Sequence, residues 1–282
     1  MDGILLIDKP PSLTSHGVVK HIRQLTKLKV GHSGTLDPGA TGVLIIMLGN
    51  ATKLSPFLNL ETKTYVATCT LGQKTDTGDI WGEVIEEKEQ CELNKELLEE
   101  VLAGFLGKSK QQTPMVSAVK VKGKKLYEYH RQNEVIETPE RDIEVFDIEL
   151  LSMEEHQFTF KAVVSSGTYI RTLCEDIAQK LGTVGTMSAL RRNRIGHYDI
   201  SQCVELNDLT FMNWQKFLIS KKDALKEYPM IEVDSPLPIY HGKPMTLNST
   251  AERVVMTYQN EVLAIYDRVG DSNEYKSKRG LW

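Results

Sequence analysis

Among 282 residues there is no CxxC pair and no HExxH or similar histidine cluster. The four cysteines stand far apart, at positions 69, 91, 174 and 203, and the seven histidines form no cluster. Neither a disulfide framework nor a zinc site is therefore indicated. No GxGxxG follows a strand-like run and no GxxxxGK[ST] occurs, so a nucleotide cofactor is not expected. No stretch approaches the ~20 apolar residues of a membrane span, and the opening MDGILLIDKPP is acidic and too short for a signal peptide. Internal repeats and low-complexity tracts are also missing. The expectation is a protein of a reducing cytoplasm that works without metal or cofactor.

What is present is ordinary in amount and uneven in placement. Hydrophobic residues make up 40% and charged residues 26%, enough to build a sizeable core. The net charge of −4, from 34 basic and 38 acidic residues, argues at first against a nucleic-acid partner. The average conceals two opposite segments. Residues 83–100 hold eight glutamates against Lys88 and Lys95, whereas residues 108–131 hold six lysines and Arg131 against Glu128 alone.

Gly3–Asp8 reads as a short buried strand stopped by Lys9-Pro10-Pro11, followed by a helix from about Ser15, its expected N-cap. Residues 43–48 (VLIIML) and 63–71 read as further strands. The acidic segment leads into a helix over about 94–105, with Leu97, Leu98, Val101, Leu102 and Phe105 expected inward. Residues 143–151 and 157–164 form a strand pair in which Phe158, Phe160, Ala162 and Val164 alternate. A helix over 170–181 ends at Gly182. After residue 228 prolines become frequent and a hairpin is expected around Gln259-Asn260. Strands mostly antiparallel in style, with long helices, make the fold α+β. The expected domains are 1–227 and a small β-rich module, 228–282.

Residues 31–44 read GHSGTLDPGATGVL. Four glycines in twelve positions let the backbone turn tightly and approach another molecule, and they frame one histidine and one carboxylate. A carboxylate on such a loop can act as nucleophile or general base. Asp-Pro is also a common turn starter, so the loop alone does not decide.

The loop resembles the catalytic motif of the TruB family, the bacterial tRNA pseudouridine-55 synthases. DKPPSLTSH at 8–16, KTYVATCTLGQKTDTGD at 63–79, PMVSAVKVKGKKLYEYHR at 114–131, SSGTYIRTLCEDI at 165–177 and LRR at 190–192 match in order and spacing, covering about residues 2–195. The resemblance implies a pseudouridine synthase fold, with a mixed, largely antiparallel sheet, followed by a PUA-like RNA-binding module. It implies an isomerase acting on uridine 55 in the T arm of tRNA, with no cofactor and no protein partner.

By the same resemblance Asp37 is the catalytic carboxylate, Arg171 its guanidinium partner and Tyr65 the ring that stacks on the extruded uracil. His32 would fill the space the uridine leaves. Tyr169 and Leu190 would line the pocket, and Asp79 would join the Asp37–Arg171 network. Residues 108–131 would be an RNA-gripping insertion, with Lys120, Lys122, Lys124 and Lys125 on the RNA backbone and Arg191, Arg192 and Arg194 extending that surface. Lys9-Pro10 reads as scaffold with a phosphate contact. Taken without the resemblance, several of these residues have plainer readings: Tyr65, Tyr169 and Leu190 as core, the lysines as a solvated face. The competing function is a tRNA-binding or tRNA-folding module with secondary or no catalysis; a guide-dependent archaeal or eukaryotic relative would carry extra basic tails.

Overall fold

The computed structural model describes residues 2–88 and 93–282. Part of the glutamate-rich stretch, residues 89–92, lies outside the described residues. The chain divides into two compact units, one formed by residues 1–38, 43–59 and 201–282, the other by 39–42 and 60–200.

In the first unit the strand Gly3–Lys9 pairs in parallel with Val204–Glu205 and antiparallel with Ile219–Ser220. Val30–Ser33 returns antiparallel on residues 45–48 of the strand Thr41–Leu48. The helix Ser15–Thr26 places Val18, Val19 and Ile22 at helical spacing against Leu5, Ile7, Leu44, Ile46 and Trp214, forming one buried core. Each such side chain stabilises the fold by roughly 1.5–3 kcal/mol. The N-cap is Thr14, one residue earlier than expected, because its side chain accepts from Gly17 N at 2.9 Å. Ser15 is thereby released for a different task.

The same unit contains a five-stranded sheet between Met230 and Gly280. The hairpin expected at Gln259-Asn260 is present, and both residues adopt the positive φ (48° and 67°) that a two-residue turn of this hand requires. Leu263, Tyr266 and Tyr275 fill its interior, and the buried tyrosine hydroxyls are satisfied by Lys243 O and Ala251 O. This β-rich half-barrel is of PUA-like kind. It is stitched to the rest of its unit by the buried Lys221, whose ammonium donates to Val262 O and Leu281 O at 3.2 and 2.9 Å.

The second unit is an antiparallel sheet in the order Gly185–Ile195, Thr62–Leu71, Gln157–Ser165, Glu140–Met153, Gly107–Gln112. Phe158, Phe160, Ala162 and Val164 are buried, as their alternation predicts. The helix Ile170–Lys180 packs on the sheet through Leu173, Cys174 and Ile177. At the sheet's far margin Thr41 and Gly42 pair in parallel with Arg191 and Arg192. Gly42 sits at φ 104°, and a Cβ there would run into the backbone of Arg192; only glycine fits.

The α+β class holds, but the helices are not long: the longest among the described residues has 12. In Lys95–Ala103, Leu98 and Leu102 face inward while Leu97 is exposed, so its apolar stripe is narrower than the sequence implied.

Candidate active site

Asp37 is half-buried in the segment between Val30–Ser33 and Thr41–Leu48, and its neighbours on both sides are fixed. On the amino-terminal side the buried Ser15 hydroxyl donates to Leu36 O at 3.1 Å and accepts from Leu36 N at 2.9 Å. On the other side Pro38 O accepts from the ammonium of Lys9 at 3.0 Å and from Ser12 N at 3.1 Å. The DKPPSLTS segment thus clamps residues 36 and 38 and fixes the backbone on either side of Asp37. Lys9 is wholly buried, so the phosphate contact expected of it is excluded; a desolvated ammonium that caps two carbonyls, Pro10 O and Pro38 O, is scaffold. His32 lies on the Val30–Ser33 strand opposite Ile46, half-buried. The chain passes from the first unit to the second between Pro38 and Gly39.

In the second unit Tyr65 is buried on the interior strand Thr62–Leu71, opposite Ala162 on one side and Arg192 on the other. Leu190 is buried one strand away, opposite Ala67. Arg171 is 4% exposed on the first turn of its helix, where a cation opposes the helix dipole. That unfavourable placement is offset by a fork of charge-assisted hydrogen bonds, from Nη1 to Thr77 O at 2.7 Å and from Nη2 to Val116 O at 2.9 Å. Arg171 therefore binds together the 76–83 turn and, at Val116, the lysine-rich segment 108–131. Asp79 is buried in the same turn, its Oδ1 accepting from Thr77 Oγ1 at 2.8 Å and from Trp81 N at 3.2 Å. Tyr169, the residue before the Arg171 helix, is pinned through its backbone by the side-chain amide of Gln111, at 2.8 and 3.0 Å, and its ring lies under the Arg141 guanidinium.

The basic segment is structured, not a bare loop. Gly107–Gln112 is an edge strand, and Lys120–Val121 and Lys124–Lys125 form a small hairpin leading into the short helix Leu126–His130. Lys120 and Lys122 are exposed at the hairpin. Lys124 lies on the Tyr129 ring and pairs with Glu134 and Gln132 just beyond the segment, and Lys125 sits by Tyr127, so both are engaged by neighbouring side chains. Arg194 pairs with Asp199 at the surface, and Arg191 donates to Thr41 Oγ1. Arg192 is completely buried, which removes it from the basic surface the sequence reading gave it.

Residues 20–170 match the TruB family pseudouridylate synthase N-terminal domain, and residues 171–228 the tRNA pseudouridylate synthase B C-terminal domain. The chain belongs to the TruB family. Its relatives include a tRNA pseudouridine synthase B from Alkaliphilus oremlandii, 46% identical over 96% of this chain and 88% of that protein. The protein of the same name from Mesoplasma florum is 38% identical, covering 99% and 97% of the two chains. In three dimensions the chain resembles the crystal structure of a Cbf5-Nop10-Gar1 complex, with a TM-score of 0.75 and 25% identity over 99% of this chain and 85% of that one. The TruB reaction is an isomerisation, and this chain is an enzyme of that class.

Sequence reasoning missed the long-range bonds that support the site. Ser15 was legible only as a cap, and Gln111 carried no signal at all. Trp81, which lies against Gly39, carries no signal in the sequence either.

Proposed function

We propose that the protein isomerises uridine 55 in the T arm of tRNA to pseudouridine, with Asp37 as the catalytic carboxylate. The reading is carried by the near full-length similarity to proteins named tRNA pseudouridine synthase B, together with a half-buried aspartate whose two neighbours are clamped from the DKPPSLTS segment. The reaction breaks the N1–C1′ bond, turns the uracil and joins C5 to C1′. Atoms and electrons balance within the nucleotide: C5 loses its hydrogen to solvent and N1 gains one. A carboxylate held between fixed neighbours suits this work, as nucleophile at C6 or C1′ or as base at C2′.

A stacked uridine does not reach such a group, so the base is flipped out, at about a few kcal/mol. In this reading Tyr65 stacks on the uracil, His32 fills its vacated place, and Tyr169 and Leu190 line the pocket. Arg171, already oriented by two carbonyls, keeps Asp37 ionised and aimed, with Asp79 bracing the turn that Arg171 grips. Lys120 and Lys122, exposed on the insertion, take RNA phosphates, and Arg191 and Arg194 extend the RNA-contacting surface. The half-barrel is an additional RNA-binding module in the 228–282 domain.

The test uses tRNA transcript carrying tritium at uridine C5. Wild-type protein with no added cofactor releases the label as C5 bonds to C1′. Asp37→Ala binds the transcript with near wild-type affinity and releases none. Undiminished release by Asp37→Ala refutes the assignment.

A further inference from the structure

We propose that Trp81 is a stacking platform for an unpaired RNA base next to the isomerised uridine. An edge of its six-membered ring lies so close to Gly39, two residues beyond Asp37, that a Cβ on Gly39 would overlap its Cη2 atom. The indole is thus seated on the backbone of the loop that carries the proposed nucleophile. Its remaining surface is open: Trp81 is 57% exposed and its neighbour Ile80 is 42% exposed.

The residues that hold Trp81 are rigid. It sits in the turn between the short strands Gln73–Thr75 and Val84–Glu87. Asp79 O accepts from Thr75 Oγ1 at 2.7 Å and from Gly82 N at 3.1 Å, Asp79 Oδ1 accepts from Trp81 N, and Asp76 Oδ1 accepts from Glu83 N at 2.8 Å. Ile80 N and Gly78 O bond to the backbone of Met187, and Arg171 grips Thr77 O. An aromatic ring fixed this firmly, with much of its surface turned to water, adds little to the core. It is suited to receive another flat group, since an indole already fixed in place has little conformational freedom left to lose on stacking.

The surroundings favour a nucleobase as that group. His130 Nε2 meets Asp76 Oδ2 at 3.0 Å, so the turn is joined directly to the insertion whose Lys120 and Lys122 are exposed. An exposed indole on a turn tied to the cationic segment combines phosphate attraction with base stacking, the two components of unpaired RNA recognition. Extruding one nucleotide also deprives its neighbour of a stacking partner. A ring lying on the catalytic loop offers that neighbour a replacement surface where the gap opens. This inference rests on the tRNA substrate proposed above.

The experiment pairs steady-state kinetics on a T-arm stem-loop with tryptophan fluorescence. Of the three tryptophans, Trp214 is buried and Trp282 lies at the far end of the chain, so a Trp81 signal is separable by substitution. Wild-type emission is quenched as RNA is added, and Trp81→Tyr abolishes most of that quench while holding KM within a few-fold of wild type. Trp81→Ala raises KM on the order of tenfold, more than it lowers kcat. If Trp81→Ala lowers kcat alone and leaves KM unchanged, the ring merely props the loop and the proposal is overturned. Full quenching in Trp81→Tyr overturns it as well. Should the wild-type protein neither bind nor modify the stem-loop, the substrate assignment itself fails, a result distinct from an active enzyme indifferent to residue 81.

Discussion

Arg171→Lys isolates the geometry of the buried fork from its charge. The guanidinium serves two acceptors in two segments, Thr77 O and Val116 O, from separate nitrogens at 2.7 and 2.9 Å. A lysine ammonium is a single point and keeps one of them. Losing one charge-assisted bond costs about 1.5–3 kcal/mol, roughly a ten- to hundredfold change in the unfolding equilibrium. Arg171→Met removes the buried cation altogether and leaves two carbonyls without this donor, at about 1–3 kcal/mol each. The expected order of urea midpoints is wild type, then lysine, then methionine. Pseudouridine formation falls at least tenfold in the lysine variant even under conditions where it is fully folded, because the fork no longer aims the carboxylate it is proposed to face. Wild-type midpoint and wild-type turnover in Arg171→Lys would refute the reasoning, since a single ammonium would then suffice for both tasks.

Ser15→Ala deprives the buried Leu36 N–H and C=O of their shared partner, at about 1–3 kcal/mol for each group; an unchanged melting temperature contradicts the clamp. Lys120→Glu with Lys122→Glu weakens tRNA binding and reduces the slope of log affinity against log salt by about 1.4 for single-stranded contacts; an unaltered slope removes these lysines from the interface. Burial, and then the neighbouring Arg192 and Arg141, draws Lys63 down from its ordinary 10.5 to about 8. Between those pH values the unfolded chain holds a proton that the folded chain has lost, so this group makes stability rise with pH across that window and penalises the fold fully below it. Lys63→Met therefore flattens the pH dependence of the urea midpoint between 8 and 10.5, and an identical slope in the variant contradicts the assignment.

Elements whose signal is local were legible in the sequence. The alternation Phe158, Phe160, Ala162, Val164 describes a strand buried on one face, and Gln259-Asn260 marks a turn that needs two positive φ values. The helix at 170–180 showed in its apolar phase. What stayed hidden depends on partners distant in the chain. Ser15 reaches Leu36 across 21 residues, Gln111 reaches Tyr169 across 58 and Arg171 reaches Thr77 across 94, and periodicity carries no trace of such pairs. Burial of polar residues failed for the same reason. Arg192 stands in a run of arginines that reads as surface, yet its alternate position on a strand turns it inward; Arg194, two positions on after a register shift, pairs at the surface. Leu97 erred in the opposite direction, since a helix of nine residues lying against a sheet needs only a narrow apolar stripe.

The most direct measurement is nucleotide-resolution mapping of pseudouridine in a T-arm-containing tRNA transcript after incubation with pure protein alone. Wild-type protein is expected to convert uridine 55 and Asp37→Asn to leave it untouched despite retained binding. Conversion at that position by Asp37→Asn, or none by the wild type, would contradict the account.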